Sequence, residues 1–521
     1  MVMVSQFEYL MGVERNAEDL AQHFTPASVA DFAWAVMRTI AKRDLERGAR
    51  VVDPAAGEGA LLAAIGPGYH TVGVEIDARL AEKGRRSAKL FYTGDGLLGD
   101  FPDVKEGRFD CVIANPPYGK LKDVVGGFGD DVQTAVEQGF KVTGLVSGKS
   151  LNAFPIELLF IERALRLVRP SGWLALILPE GVFANARLQG ARDWLLRRAE
   201  VHAVVALPGE VFRRKGLNAR TALLVLRRKE SVGGGLARAR LIAPAGEDRG
   251  LEGYLQQALR LLKHSKRQVA ATSISVRQEQ LADSRWDPRF WQGGKLVRNL
   301  AGRVPLAPFG DYIRHLTYGP IVTGRRPGYV ETGVPVIRQG NIVETGLDEG
   351  DLLRVEADGA YDPLRSRVRN GDLLLPRSGA GALGKNRLAV YLGREPANVG
   401  CFVDLIRLKG LNPFYAWFFF KTGPGRAQIA AFANGVGTPN ISFAEIRSLQ
   451  VAALSTACQD DFEGRYRREV WPLHKRRRES DEIRAEGERR FRLIVDDLER
   501  HLKSKGSRFY MGQTWLNSIE Q

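Results

Sequence analysis

Cysteine is too scarce in this sequence to build a disulfide framework or a zinc cluster. The 521 residues include three, Cys111, Cys401 and Cys458, and no two of them are close in sequence. This usage fits a reducing compartment, so we expect a cytoplasmic protein. Because histidines and cysteines form no ligand pattern, no metal site is predicted.

Hydrophobic runs long enough to cross a membrane are also lacking. The richest apolar stretch, FYAWFFF at 414–420, is far shorter than the ~20 residues that a membrane helix needs. The N-terminus has no basic-then-apolar signal pattern. We therefore expect a soluble protein without a membrane partner.

Acidic residues are outnumbered by basic ones. The sequence has 76 Lys and Arg against 60 Asp and Glu, a net charge of +16, and a pI near 9.8. This excess favours a polyanionic partner, with nucleic acid ahead of a membrane surface. A generally Arg-rich proteome would give the same total, so the charge alone does not identify the partner.

The chain is too long for one core, and its pattern changes along its length. From Arg50 to Lys229, short apolar runs alternate with helical stretches, which is typical of a parallel sheet covered by helices. A glycine-rich stretch, a helix and then short strands with Gly and Pro turns follow. We predict an α/β domain at 1–230, a linker and helical connector at 231–283, an α+β domain at 284–455 and a helical segment at 456–521.

The last segment contains a charged helix with one apolar stripe. Its members, spaced four, three and four residues apart, are Phe491, Val495, Leu498 and Leu502. The stripe could pack on its own chain or pair with a second copy as a coiled coil. A homodimer through this helix is therefore one expected partnership.

A ligand site is indicated where the first predicted strand ends. VVDPAAGEGALLAAI begins as a strand at Val51, turns through residues 53–59 and enters a helix near Ala60. Glycine lets a backbone approach a ligand closely. Tight strand-to-helix turns need glycine in any case, so this turn alone is weak evidence for a nucleotide-like ligand.

Glu75 strengthens that indication because it ends the next predicted strand, about 20 residues on. An acid at this place can accept hydrogen bonds from both ribose hydroxyls, as in dinucleotide-binding proteins. The third glycine of a pyrophosphate cradle is missing, since Leu62 holds its position. A ligand with a ribose but no pyrophosphate fits better, and S-adenosylmethionine is such a ligand.

Two more side chains are candidates for this ligand. Asp95 follows the third strand, where it could accept from an adenine amino group or serve only as a turn residue. Thr25 and Pro26 read as a helix start, with Thr25 as the N-cap. The exposed amides of that helix could face the carboxylate of the ligand.

The fourth strand, within FDCVIANPPYGK, runs directly into Asn115, Pro116, Pro117 and Tyr118. In a sheet of this winding the strand lies beside the first one, so Asn115 borders the same crevice as Asp53. An amide oxygen and the Pro116 carbonyl, fixed by the prolines, could hold an exocyclic amine with its lone pair toward a methyl donor. Tyr118 offers a flat face for a base that has left the duplex.

These segments together resemble a known family. QHFTP, DPAAGEG, VGVEID, GDG and NPPY, in that order over residues 20–230, are similar to the amino-methylating DNA methyltransferases. The resemblance implies a Rossmann-like methyltransferase sheet of seven strands with an antiparallel last strand. It implies S-adenosylmethionine near Thr25, Asp53, Ala55, Gly57, Glu75, Ile76 and Asp95, and the target base near Asn115, Pro116, Pro117 and Tyr118.

The segment PGEVFRRKGLNARTALLVL adds a second base-facing candidate. In similar adenine methyltransferases the phenylalanine of such a segment packs on the flipped base, which points to Phe212; a core phenylalanine is the alternative. Arg213, Arg214 and Lys215 follow it directly and could meet phosphates.

Phrases beyond residue 280 resemble one target-recognition unit of type I restriction specificity subunits. They are RWDPRFW at 285–291, VPVIRQGNI at 334–342, GDLLLPRSGAGALGKNRLAV at 371–390 and GVGTPNISFAEIRSLQV at 435–451, followed by the charged helix. Their basic residues are candidates for DNA contacts: Arg338, Arg377, Lys385 and Arg387.

The sequence thus predicts a methyltransferase that recognises double-stranded DNA and modifies adenine N6. Cytosine N4 is the sibling product, although cytosine enzymes more often carry serine at the place of Asn115. Enzymes that methylate RNA or a protein glutamine share the Asn-Pro-Pro-Tyr motif, but they generally lack a specificity-like domain. We find no nuclease motif, so a restriction endonuclease would be a separate chain.

Overall fold

The computed structural model describes residues 25–121, 130–146, 153–209, 211, 213–214, 217–218, 220–231, 238–243, 250–263, 272–322, 328–432 and 440–504. The chain divides into two compact units, Met1–Pro288 and Arg289–Gln521. None of the described helices combines the length and the apolar character that a membrane span requires.

One sheet organises the first unit. Among the described residues its strands are β1 (Arg50–Asp53), β2 (His70–Glu75), β3 (Leu90–Thr93), β4 (Phe109–Ala114), β5 (Val168–Pro179), β6 (Ala199–Ala206), β7 (Thr221–Arg228), β8 (Arg238–Ile242) and β9 (Ser273–Arg277). Their order across the sheet is β9-β8-β6-β7-β5-β4-β1-β2-β3. β7 is antiparallel to β5 and β6, β9 is antiparallel to β8, and the other neighbours are parallel.

Helices cover this sheet, and its central strands are accordingly apolar on both sides. The described helices are α1 (Ala27–Ala41), α2 (Ala60–Ile65), α3 (Ala78–Gly84), α4 (Asp130–Gly139), α5 (Ile156–Leu167), α6 (Glu180–Ala184), α7 (Gln189–Arg198) and α8 (Gly250–Lys263). In β7 the run Thr221 to Leu226 is buried without interruption, as expected of a strand with two covered faces. The antiparallel seventh strand is confirmed as β7, but the described sheet has nine strands and not the seven that the resemblance implied.

The linker and helical connector predicted at 231–283 is right only in its helix, which is α8, because two further described segments of this range are strands of the sheet. β8 pairs with β6 and β9 pairs with β8, so both strands extend the edge. The connecting helix α8 packs on α1, and the Tyr254 hydroxyl donates to the carbonyl oxygen of Ala206 at 3.1 Å. These edge strands alternate arginine or serine with apolar residues, a weaker signal than the continuous runs of the central strands.

The boundary predicted at residue 284 also lies a few residues too early. Trp286 is buried, and its backbone N–H donates to the carbonyl oxygen of Phe183 at 2.9 Å. Arg192 donates to the carbonyl oxygen of Ser284 at 3.3 Å. The first half of RWDPRFW therefore belongs to the first unit.

The second unit mixes short strands with helices, which confirms the predicted α+β class. Its described strands are Ala307–Pro308, Ile313–Tyr318, Val334–Ile337, Ile342–Val343, Gly346–Leu347, Leu353–Val355, Arg367–Val368, Leu373–Pro376, Ala389–Val390, Ala397–Val399, Val403–Leu408 and Gln450–Val451. Its described helices are α9 (Pro288–Ala301, which starts at the boundary), α10 (Pro413–Lys421), α11 (Gly423–Phe432), α12 (Phe443–Ser448), α13 (Thr456–Arg465), α14 (Trp471–Lys475) and α15 (Asp481–Lys503).

The C-terminal helix is part of the core of this unit. Phe491, Val495, Leu498 and Leu502, the predicted stripe, are all buried. The Phe491 ring lies 4.9 Å from that of Trp417, in the apolar run that forms α10. Residues 456–504 are therefore not a separate segment, and the stripe is not free to pair with a second copy. Of the two alternatives left open by the sequence, packing of the stripe on its own chain is the one observed, and a homodimer through this helix stays an untested prediction.

Candidate functional site

The turn after β1 forms the floor of the site. Asp53 ends the strand and is buried, and its Oδ1 accepts a hydrogen bond from the Ala55 N–H at 2.9 Å. Burial, with a contribution from the charge of Glu75, raises the Asp53 pKa to about 8. Gly59 caps α2 with φ of 81°, and a Cβ there would lie 1.8 Å from Ser87 Oγ. Only glycine fits both requirements.

Glu75, at the end of β2, fastens this turn to the neighbouring strand. Its Oε2 accepts from the Gly57 N–H at 2.7 Å and its Oε1 from the Asp77 N–H at 2.9 Å. Burial raises the Glu75 pKa. Because each carboxylate oxygen can accept two hydrogen bonds, ribose hydroxyls can share these oxygens with the backbone. The next side chain, Ile76, is 45% exposed.

The loop after β3 closes the third side of the site. Asp95 Oδ1 accepts from the Leu97 N–H at 2.8 Å and the Leu98 N–H at 3.2 Å, so this carboxylate forms the turn that the sequence also allowed. A Cβ on Gly96 would lie 1.8 Å from the Pro54 carbonyl oxygen. The loops after β1, β2 and β3 thus meet at one edge of the sheet.

Arg163, on α5, holds this loop and was not predicted. Its Nε donates to the Gly96 carbonyl oxygen at 3.2 Å and its Nη2 to that of Gly99 at 3.3 Å. Burial lowers the Arg163 pKa, while the nearby acids Glu106 and Asp95 oppose that shift. These hydrogen bonds join residues more than 60 positions apart, so no local sequence pattern predicts them.

Asn115 follows β4 directly, as predicted, and is held from two sides. Its Nδ2 donates to Thr25 Oγ1 at 3.0 Å, and its Oδ1 is hydrogen-bonded to the Tyr118 hydroxyl. That hydroxyl also lies 3.1 Å from the carbonyl oxygen of Ile177, on β5. These contacts fix the plane of the Asn115 amide.

Two roles predicted around Asn115 differ in the structure. Thr25 is not an N-cap: α1 begins at Ala27, Pro26 occupies the capping position, and no side chain caps the helix. Tyr118 is only 5% exposed, so it positions Asn115 and does not present a free face for stacking. Burial raises the Tyr118 pKa well above its usual value, which keeps the hydroxyl protonated.

The N-terminus of α5 clamps the chain that follows Asn-Pro-Pro-Tyr. Glu157 is buried, and its Oε2 accepts from the Gly119 N–H at 3.2 Å. The Ile156 N–H donates to the Gly119 carbonyl oxygen at 3.0 Å, and the Leu121 N–H to that of Phe154 at 2.8 Å. The same helix therefore supports the Asn115 loop through Glu157 and the Asp95 loop through Arg163.

The remaining candidates, Phe212 and the basic residues, do not come together in one place. Phe212 and Lys215 lie outside the described residues. Arg213–Arg214 form a short strand with Leu217–Asn218, and the side chains of these four residues are not described. In the second unit Arg377 pairs with buried Asp404, with Nη1 and Oδ1 3.1 Å apart. Lys385 and Arg387 line a different groove, with Arg477 and Arg478 among others. The described part of the chain has no cluster of three metal-ligating side chains.

Replacing Asp53 with asparagine should stabilise the ligand-free protein at high pH. The folded-state pKa of about 8 lies far above the unfolded value near 3.8. At pH values between these two, the folded state therefore binds more protons than the unfolded state. Stability is therefore lost as pH rises toward 8, and Asp53→Asn should abolish that loss. We expect the gain in melting temperature to grow from pH 5 to pH 8.5 and to exceed about 4 °C at the higher pH, because 1 kcal/mol alone shifts the melting temperature of a domain of this size by about 2–4 °C.

Thermal unfolding at both pH values tests this expectation. Asp77→Asn is the matched control, because hydrogen bonds from Arg79 lower the Asp77 pKa against its partial burial. Its ionised form stabilises the fold above pH 4, so the substitution should give no gain at pH 8.5. An equal rise in both variants would contradict the burial of an acid at Asp53.

Arg163→Ala should loosen the loop of Asp95 and weaken binding of S-adenosylmethionine. Losing the two loop contacts should cost one to two kcal/mol, or about 5- to 30-fold in Kd. Calorimetric titration measures the change. Arg166→Ala is the control on the same helix, because Arg166 contacts Glu162 and the Gly139 carbonyl and not this loop. Equal affinities of the two variants would remove Arg163 from the site.

Known proteins resemble this chain over part of its length. Residues 75–212 match the family described as Eco57I restriction-modification methylase. The chain is 31% identical over 177 residues to the type II methyltransferase M.TthHB8I of Thermus thermophilus, covering 32% of this chain and 37% of that protein.

Solved structures are similar at lower identity. The type IIG restriction endonuclease BpuSI aligns with 91% of this chain and 66% of its own, at 13% identity and a TM-score of 0.46. A type I restriction-modification methyltransferase subunit from Streptococcus thermophilus aligns with 53% of this chain and 59% of its own, at 16% identity and a TM-score of 0.39.

The site fits a ligand with a ribose and a flat base. The buried acceptor Glu75, the half-buried acceptor Asp95, the turn at Gly59 that has no room for a side chain, and the exposed Ile76 lie at one edge of the sheet. Such a set can bind hydroxyls, an amino group and an apolar ring face. The α/β sheet of the first unit brings these groups to one edge, where they would suit a cofactor that carries a ribose and a flat base.

Proposed function

We propose that this chain is a sequence-specific DNA methyltransferase that modifies adenine N6 of a base flipped out of the duplex. It would form the modification part of a restriction-modification or related defence system. The observation that carries the proposal is Asn115, which follows β4 directly and has its amide fixed between Thr25 and Tyr118. The similarity of residues 75–212 to a restriction-modification methylase family supports it.

The chemistry follows from what the fixed amide can bind. The lone pair of an exocyclic amine is delocalised into the base, which makes the nitrogen a poor nucleophile. Two acceptors on one side, Asn115 Oδ1 and the Pro116 carbonyl, would take its two N–H groups and favour a pyramidal nitrogen. A carbonyl oxygen accepts two hydrogen bonds, so Tyr118 and the target amine can share Oδ1.

S-adenosylmethionine, when bound, supplies the electrophilic methyl group. The chain's own part is to place the amine in line with that group, which is an effect of proximity and orientation. Asn115 need not be a base, because the amine becomes strongly acidic after methylation and then loses its proton. Glu157 and Ile156 keep the loop in place through Gly119.

The second unit is proposed to choose the DNA sequence. Its α+β architecture and closed core suit an independent recognition module, and residues 289–521 contain 36 Lys and Arg against 26 Asp and Glu. The partners of the chain would be double-stranded DNA and a restriction endonuclease on a separate chain.

Expression in a methylation-deficient host tests the function directly. Sequencing the host DNA at single-base resolution should reveal N6-methyladenine in one sequence motif. N4-methylcytosine in a motif would keep the DNA activity and change the target base. Unmodified DNA, from cells whose purified protein binds S-adenosylmethionine, would overturn the proposal and favour RNA or a protein glutamine as substrate.

A further inference from the structure

One turn of the second unit exposes an aromatic ring among arginines. Phe402 lies between strands Ala397–Val399 and Val403–Leu408 and is 56% exposed. The Val403 N–H donates to the Gly400 carbonyl oxygen at 3.0 Å, which closes the turn. The ring is therefore displayed from a short, rigid connection.

The turn is fixed by contacts on both sides. The Arg377 N–H donates to the Phe402 carbonyl oxygen at 2.8 Å, and the Gly400 N–H to that of Ile337 at 2.8 Å. A Cβ on Gly319 would lie 1.9 Å from the carbonyl oxygen of Val399, so another strand end also abuts the turn. A rigid support lowers the entropy lost when the ring contacts a partner.

Arg338 and Arg377, two of the four basic residues that the sequence indicated for DNA contacts in the second unit, flank this turn. The guanidinium of Arg377 lies 4.2 Å from the centre of the Tyr318 ring and 5.1 Å from that of Phe443. Arg338 is exposed, and its Cγ is 3.8 Å from a Cβ built on Gly400. Arg377 is paired with the buried carboxylate of Asp404, so the exposed positive charge beside the turn comes from Arg338.

We propose that the turn Gly400–Phe402 contacts bases of duplex DNA, with Phe402 stacking on or wedging between base pairs and Arg338 bound to the backbone. This inference rests on the proposed function and names the element through which the second unit would meet DNA. A lone aromatic ring among arginines matches stacked bases bordered by phosphates. A protein partner would require a broader apolar area.

Duplex binding by full-length variants tests the proposal. The probe is a fluorescent duplex carrying the motif mapped in the host, or sheared genomic DNA if no motif is found. Phe402→Ala should weaken binding roughly 10- to 100-fold, the usual loss for one stacking contact. Phe402→Trp should restore most of it. The slope of log affinity against log salt should stay unchanged, because phenylalanine carries no charge.

Two further variants give the contrast. Leu493→Ala removes another exposed apolar side chain, 43% exposed on α15, and should bind like the wild type. Arg338→Ala should reduce the salt slope by about one, as expected for one lost phosphate contact. Equal binding by Phe402→Ala and Leu493→Ala would overturn the inference, even in a protein that methylates DNA. If the wild-type protein binds DNA without methylating it and Phe402→Ala loses that binding, only the proposed function is overturned.

Discussion

Replacing Asn115 with alanine is expected to lower methyl transfer by at least about 100-fold, the scale seen when one preorganised hydrogen-bonding group is removed from an active site. Affinity for S-adenosylmethionine should change by less than a few-fold. The reason is that the Asn115 amide contacts Thr25 and Tyr118, whereas the acceptors proposed for the cofactor, Glu75 and Asp95, lie at the ends of other strands. A tritiated-methyl assay and calorimetric titration measure the two quantities.

Two matched variants separate the chemistry from the support. Asn115→Gln keeps the amide but moves it by one methylene, and should also be inactive because orientation is the main contribution. Tyr118→Phe keeps the ring and removes the hydroxyl that contacts Asn115 and the Ile177 carbonyl, so we expect a smaller loss of about tenfold. More than a few per cent of activity in Asn115→Ala would remove this residue from the centre of the mechanism.

Exchanging the second unit for that of a related enzyme should transfer the recognised motif completely. The junction belongs between Pro288 and Arg289, because Trp286 is buried in the first unit. The exchanged part must include α15, since Phe491 packs against Trp417. An exchange of 284–455 alone, which the sequence had suggested, would cut both cores. Mapping modified bases in the host measures the result.

The chimera must first unfold cooperatively and bind S-adenosylmethionine like the parent. A new motif with the same modified base would then assign recognition to residues 289–521 and chemistry to the first unit. Asn115→Ala in the chimera should abolish modification at the new motif too. A chimera that keeps the original motif would place recognition in the first unit instead.

Local signals explain the predictions that the structure confirmed. β4 and β7 are continuous apolar runs, and the turns after Asp53 and Asn115 are marked by glycine and proline. These features depend on neighbours in sequence, so a single chain reveals them. Weaker local signals were less informative: β8 and β9 were assigned to a linker, and the stripe of α15 left open whether it packs on its own chain or on a second copy.

The roles of individual side chains depended on contacts between residues far apart in the sequence, unlike the strands and turns. Thr25 was placed at a helix start by its position before Pro26, yet its hydroxyl accepts from Asn115, 90 residues away. Tyr118 was expected to be exposed, but β5 supplies the carbonyl of Ile177 that lies beside its hydroxyl. Arg163 and Glu157 had no local signature, because what they hold lies tens of residues away.

The sequence by itself determined the first seven strands of the sheet, the order of the motifs and the residues that end those strands, because strand periodicity and turn chemistry are local properties. Only the tertiary structure decided which oxygen or nitrogen each side chain meets, since packing brings together loops that are far apart in the chain. It also decided where one unit ends, because a boundary is set by which core buries Trp286 and Phe491. Burial in those cores, and not local pattern, is the physical reason for the difference.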